Sequence, residues 1–206
     1  GSEMCIRDRY GFDDEALDVL SECPVHSPLV GYYEAAIYLD QHKTVEAQLA
    51  ITKAEMAPSI YCFPSRIEEK VFLEKVITFD VRANFAKYYL GNLLYDKKQY
   101  DEAITLWEEA AKALPDFATP FRNLSFAYYN KKNDKKKALE LINKAFDIDP
   151  TDSRVLLEKT QLEGLLGMDP KERLATLEQY MSVTEERDDL YICLLYTSDA
   201  ADDLIG

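Results

Sequence analysis

The chain has 206 residues, 47% hydrophobic and 30% charged, which is apolar content enough for a sizeable core. Its net charge of −14 is spread along the chain instead of gathered in blocks. That balance disfavours phosphate backbones and anionic lipid surfaces, so neither nucleic acid nor membrane is expected as a partner. No run reaches the roughly 18 apolar residues of a membrane span.

In chain order, residues 13–20 place Ala16, Leu17 and Leu20 on one face behind an acidic start, the pattern of a short helix. Ser27-Pro28 supplies a cap and a proline at the first helical position, and a helix over 28–39 presents Val30, Tyr33, Ile37 and the small pair Ala35-Ala36. A helix over 44–56 follows with Val45, Ala47, Leu49, Ala50 and Ala54, completing a hairpin. Residues 57–64 hold Pro58 and Pro64 and read as a link whose YCF run is a buried aromatic connector. Ser65 opens a helix over 65–77, with Glu68 completing a capping box and Ile67, Val71, Phe72 and Val76 as the apolar stripe. It has no clean partner helix before it.

Four helices are then expected over 84–96, 101–113, 119–130 and 135–146, with Asp101 as a cap and Thr119-Pro120 as a second cap-plus-proline start. Helices over 153–166 and 170–181 follow, the latter opened by Asp169-Pro170, and RDDLYI at 187–192 begins another. In this last pair the small-residue positions hold Lys159, Thr160 and Glu163, so its pattern is degenerate.

The middle of the chain carries an internal repeat. Gly91 is followed by Ala103, Trp107, Ala110 and Pro115 at offsets of 12, 16, 19 and 24; Ser125 is followed by Ala138, Ile142, Ala145 and Pro150 at 13, 17, 20 and 25. One residue is added at 131–137, where a turn is expected. This helix-turn-helix period of 34 to 35 residues resembles the tetratricopeptide repeat (TPR). The small residues let antiparallel helices approach, Trp107 is expected to fill the gap between neighbouring repeats, and Pro115 stops the second helix. The resemblance implies an all-α fold, a right-handed α-α superhelix or solenoid of about five hairpins, most regular over 84–150.

FPSRIEE at 63–69, KYYLGNLLYDKKQYDEAITLWEEA, RNLSFAYYNK and ERDDLY further resemble a family of large bacterial proteins in which a β-rich, mutarotase-like N-terminal domain precedes a long TPR array. The two ends have a different likeness. GSEMCIRDR at 1–9 and CLLYTSDAADD at 193–203 resemble in-frame translations of sequencing adapters, so residues 1–9 and 193–206 are set aside and 10–192 is read as the repeat array. The charges of the first segment cancel and the second carries three aspartates, which moves the net charge from −14 to −11. Cys23 and Cys62 then remain, too distant in sequence for a zinc site or disulfide framework, and free thiols slightly favour a cytoplasmic setting. Such an array, cut at both ends, is expected to be marginally stable or to associate.

No phosphate loop, nucleophile elbow or clustered Cys/His is present, so neither enzyme activity nor a cofactor or metal is expected. His26 and His42 fall near turns. Adjacent carboxylates such as Glu68-Glu69 and Glu108-Glu109 diverge on helices and make no acid/base pair. In TPR arrays the first helix of each hairpin lines a concave groove, which implies ligand-groove candidates Tyr88, Asn92 and Tyr95, then Arg122, Asn123 and Tyr129, and Arg154 beyond them. Asn92, Asn123 and Arg154 match positions of the TPR carboxylate clamp, whereas Tyr88 stands where the clamp has a basic residue. Tyr89 and Phe126 are equally readable as core. Two functions follow: a non-catalytic scaffold binding a protein or peptide, with Asn92 and Asn123 facing solvent; or a structural or dimerisation appendage of another domain of the same parent protein, with Tyr88, Tyr95 and Tyr129 exposed as an aromatic patch.

Overall fold

The computed structural model describes residues 13–22, 27–59 and 62–202, and the described residues form twelve α-helices and one π turn with no strand. His26, Cys23, Tyr61 and residues 1–9 lie outside them. The chain divides into two compact units, residues 1–113 and 114–206.

The first unit holds α1 (Asp13–Ser21), α2 (Pro28–Asp40), α3 (Thr44–Met56), α4 (Ile67–Phe79), α5 (Asn84–Asp96) and α6 (Tyr100–Ala113). Helices α2 and α3 form one hairpin and α5 and α6 another, while α4 packs between α2 and α5. Tyr33 and Phe72 meet edge-on across the α2–α4 contact, with centroids 5.3 Å apart. In the α5–α6 hairpin, Gly91 lies so close to the Trp107 ring that a Cβ would stand 2.6 Å from Cδ1 and Nε1. Trp107 thus packs within its own hairpin. It also donates from Nε1 to Asn92 Oδ1 at 3.0 Å.

The α2–α3 hairpin obeys the same rule in plainer residues. Ala35, Ala47, Ile51 and Ala54 repeat the offsets 12, 16 and 19, and all four are buried. Glu55 then joins this hairpin to α5. Its carboxylate accepts from the Phe85 and Ala86 backbone N–H groups at 3.1 Å each and from Tyr32 Oη at 2.6 Å. Free N–H groups and positive dipole at a helix N-terminus are what a carboxylate stabilises. Burial above all, and then the Glu55 charge, push the Tyr32 phenol well above its ordinary pKa, keeping it a donor.

The second unit holds α7 (Ala118–Ala127), the π turn Tyr128–Lys132, α8 (Lys135–Ile148), α9 (Ser153–Leu165), α10 (Pro170–Gln179), α11 (Met181–Thr184) and α12 (Asp188–Asp202). Helices α7 and α8 form a hairpin, α9 packs on α8, and α10 pairs chiefly with α12. Helix α12 runs without a break from Asp188 through the segment after Ile192, burying Leu190, Leu194, Thr197 and Ala201.

Each hairpin turn contains one left-handed residue: His42, Lys98, Asn133 and Gly167. Three turns are closed by a backbone bond reaching back five residues, Lys43 to Tyr38, Gln99 to Leu94 and Met168 to Glu163. In the α7–α8 hairpin the bond runs from Asp134 to Tyr128, one residue further. The added residue is therefore absorbed as a π turn, a wider helical turn suited to a single insertion.

Several boundaries move from their sequence positions. Helix α4 starts at Ile67, and Glu69, not Glu68, reaches back to the Arg66 and Ser65 N–H groups at 2.8 and 2.5 Å. Ile67 and Val71 are exposed, and Leu73 joins Phe72 and Val76 inside. Val45 and Leu49 likewise face outward from α3. Ser27 turns its hydroxyl to Cys62 Sγ at 3.8 Å in place of capping α2. Helix α6 begins one residue before Asp101, and α7 begins at Ala118, before Thr119-Pro120. Asp169 does cap α10, accepting from Lys171 N at 2.9 Å. In the YCF link Cys62 is buried but Phe63 is exposed.

Candidate functional site

The sequence candidates fall into two groups that the fold treats differently. On α5, Tyr88 is only 6% exposed and lies against Tyr89 at 5.2 Å between centroids. Tyr95 stacks near Tyr100 and Trp107, at 4.9 and 5.1 Å. Asn92 commits its amide oxygen to Trp107. With Tyr88 buried, the three tyrosines do not make one exposed patch. Tyr89 is fully buried core.

The α7 candidates converge with α9. Arg122 grips Glu158 with both arms of its guanidinium, Nε to Oε2 at 2.7 Å and Nη2 to Oε1 at 2.5 Å. Arg154, one turn before Glu158, adds a 3.3 Å bond from Nε to Oε1. Both partners of the bidentate pair are more than two-thirds shielded from solvent, so it is stronger and better oriented than an open surface pair. Arg122 and Arg154 therefore share one carboxylate. Asn123 sits half-buried beside Arg122 on α7.

Next to this cluster, the space between α7 and α9 opens into a pocket of about 280 Å³ lined by Ser125, Phe126, Tyr129, Asn130, Ile142, Glu158, Gln161, Leu162 and Leu165. The lining follows from helical spacing. Arg122, Ser125, Phe126 and Tyr129 recur at i, i+3, i+4 and i+7, and so do Glu158, Gln161, Leu162 and Leu165 on α9. Phe126 is 56% exposed and Leu165 67%, so the apolar lip is open, and Phe126 is not core. Ser125 closes the floor by donating to the Ala138 carbonyl at 2.7 Å.

The α9 half of the pocket escaped the sequence reading, which took from that helix only Arg154. The repeated i, i+3, i+4, i+7 spacing was the signal available, and it was masked by the degenerate small-residue positions. Those positions are filled by Thr160 and Glu163, both buried, with Glu163 paired to Lys159.

The pocket is slightly smaller than most small-molecule sites, which start at about 300 Å³. Among the described residues no group of three or more His, Cys, Asp or Glu side chains is placed to hold a metal ion. No described helix is long and apolar enough to cross a membrane.

Comparison with known proteins agrees with this architecture. The family described as TPR repeat matches residues 91–132. Among solved structures, "MamA RS-1 ArsTM double mutant" is 21% identical with a TM-score of 0.52, covering 91% of this chain and 93% of its own. "MamA MSR-1 C2" is 16% identical with a TM-score of 0.50, covering 90% and 94%. A looser likeness, TM-score 0.42 at 20% identity over 76% of this chain and 88% of its own, is to YrrB, titled a TPR protein with an unusual peptide-binding site. At these identities the first two likenesses show the fold alone: an all-α array of TPR-type hairpins.

Proposed function

We propose that this chain is a non-catalytic interaction scaffold that holds a protein or peptide segment in the pocket between α7 and α9. One observation carries the reading: two facing helical strips, Arg122 to Tyr129 and Glu158 to Leu165, leave an open apolar pocket beside an ordered Arg122–Glu158–Arg154 cluster. Exposed Phe126 and Leu165 gain by being covered, since burying apolar area is worth about 25 cal/mol per Å². The fixed charges beside them orient what enters. Of the sequence candidates, Tyr129 lines this pocket and Arg122 and Arg154 adjoin it through Glu158, whereas Tyr88, Asn92 and Tyr95 pack against neighbours in α5 and α6.

The test is a peptide array probed with three proteins: the parent chain, Leu165→Asp at the pocket lip, and Leu49→Asp on the exposed face of α3. Both substitutions replace exposed side chains and should leave stability within about 0.5 kcal/mol. Leu165→Asp should lose most peptides that the parent retains, and Leu49→Asp should keep them. Retention by Leu165→Asp, or equal loss by both, would overturn the assignment of the pocket.

A further inference from the structure

Helix α3 carries an apolar surface that the scaffold reading leaves unused. Its inner face packs Ala47, Ala50, Ile51 and Ala54 into the core, whereas Val45, Leu49 and Met56 on the outer face are 70%, 58% and 81% exposed. With Thr52 they fall at i, i+4, i+7 and i+11, which confines them to an arc of about 60° and a line of about 17 Å along the helix. Alternating steps of four and three are the spacing of a coiled-coil seam. Thr52 fits that line because its hydroxyl donates to the Gln48 carbonyl at 2.8 Å, which leaves its methyl group to pack. Single exposed apolar residues need no explanation, but residues held to one line mark a contact surface.

The flanks of the seam decide what fits it. Along one edge stand Glu46 and Lys53, seven residues apart and both exposed. Burial raises the Glu34 carboxyl of α2 and Lys53 partly offsets that rise, yet the lysine stays exposed to solvent. The other edge holds Gln48 and Glu55, engaged within the molecule with Asp80 and with the N-terminus of α5. The open edge is therefore neutral, in a chain whose net charge is −14. Two such acidic molecules repel each other over most of their surfaces and meet most easily here, whereas a basic partner gains more elsewhere. In an antiparallel pair of α3 helices, Val45 falls opposite Met56, Leu49 opposite Thr52, and Glu46 beside Lys53 of the other copy. Each layer sets a large side chain against a smaller one, and the two-fold symmetry makes both charge contacts at once. A parallel pair would instead bring Met56 level with Met56 and Glu46 level with Glu46.

We infer that the outer face of α3 is a self-association surface, on which a second copy of this chain docks through its own α3. The two helices run antiparallel, with Glu46 of each copy paired to Lys53 of the other. The seam spans only three turns, so the dimer is weak, with a Kd of about 100 μM.

Sedimentation equilibrium of the full chain from about 10 μM to about 1 mM tests this. The parent should pass from monomer to dimer over that range, and Leu49→Asp should stay monomeric throughout. Glu46→Lys and Lys53→Glu each set like charges together in both contacts and should weaken the dimer about tenfold. Combining the two substitutions in one chain should restore it, and so should an equimolar mixture of the two single variants. Circular dichroism of each variant separates lost association from lost folding. A parent that is monomeric at about 1 mM would overturn the inference and leave the face to another partner. A dimer that survives Leu49→Asp would place the contact elsewhere, and one indifferent to the single charge reversals would exclude the antiparallel register; either result overturns the assignment. The pocket is read separately on the peptide array, where monomeric Leu49→Asp should still bind, so each reading can fail alone.

Discussion

The hairpins α5–α6 and α7–α8 reach the same close helix approach by opposite means. In the first, a glycine yields space to a tryptophan, and a Cβ at Gly91 would meet the ring at 2.6 Å. In the second, the larger residue is Ile142 and the small one is Ser125, whose hydroxyl bonds to the Ala138 carbonyl across the interface. Both hairpins carry a polar contact between their helices, Trp107 to Asn92 in the first and Ser125 to Ala138 in the second, but only in the first does a glycine make room for a ring. The repeat therefore specifies a distance between helices and leaves the chemistry at that distance free.

The contrast is sharpest at the small position. Gly91→Ala gains about 1 kcal/mol of helix propensity but overpacks a rigid, buried ring, so a net loss of about 1–2 kcal/mol is expected in urea unfolding. In a Trp107→Leu background the same substitution should cost clearly less, and an unchanged cost would break the shape argument. Ser125→Ala should cost about 1 kcal/mol, the value of one buried hydrogen bond, with no dependence on the residue at 142. The turns differ as well. Lys98 holds φ 65° and Asn133 φ 53°, and asparagine tolerates the left-handed region better than lysine. Lys98→Gly should therefore stabilise by about 0.5–1 kcal/mol, and Asn133→Gly by less, both read from chemical denaturation.

The same comparison shows why some of the molecule was legible in its sequence. Gly91, Ala103 and Trp107 announce a hairpin because glycine and tryptophan are rare and their spacing is conspicuous. Ala35, Ala47, Ile51 and Ala54 make an equivalent interface from common residues, and only their burial exposes the match. Helix starts were off by at most two residues, and the largest shift, at α4, arose because Glu69 lay better placed than Glu68 to reach back to the first turn; at α2 the start held, but Ser27 turned to Cys62 and did not cap it. Of the site, α7 was readable from its alignment on Ser125. The α9 wall was not, because Thr160 and Glu163 sit where small residues were sought. Glu55 was equally hidden: a glutamate near the end of α3 gives no sign that it will cap a helix thirty residues onward. Long-range caps depend on tertiary placement, which local pattern does not encode.

Amide hydrogen exchange with and without a peptide that the parent chain retains on the array shows directly where a ligand binds. Slowed exchange should be confined to α7, the turn over 128–137 and α9, with α5 and α6 unchanged. Protection centred on α5, or on the exposed apolar residues of α3 and α4, would contradict the assignment of the α7–α9 pocket as the binding face.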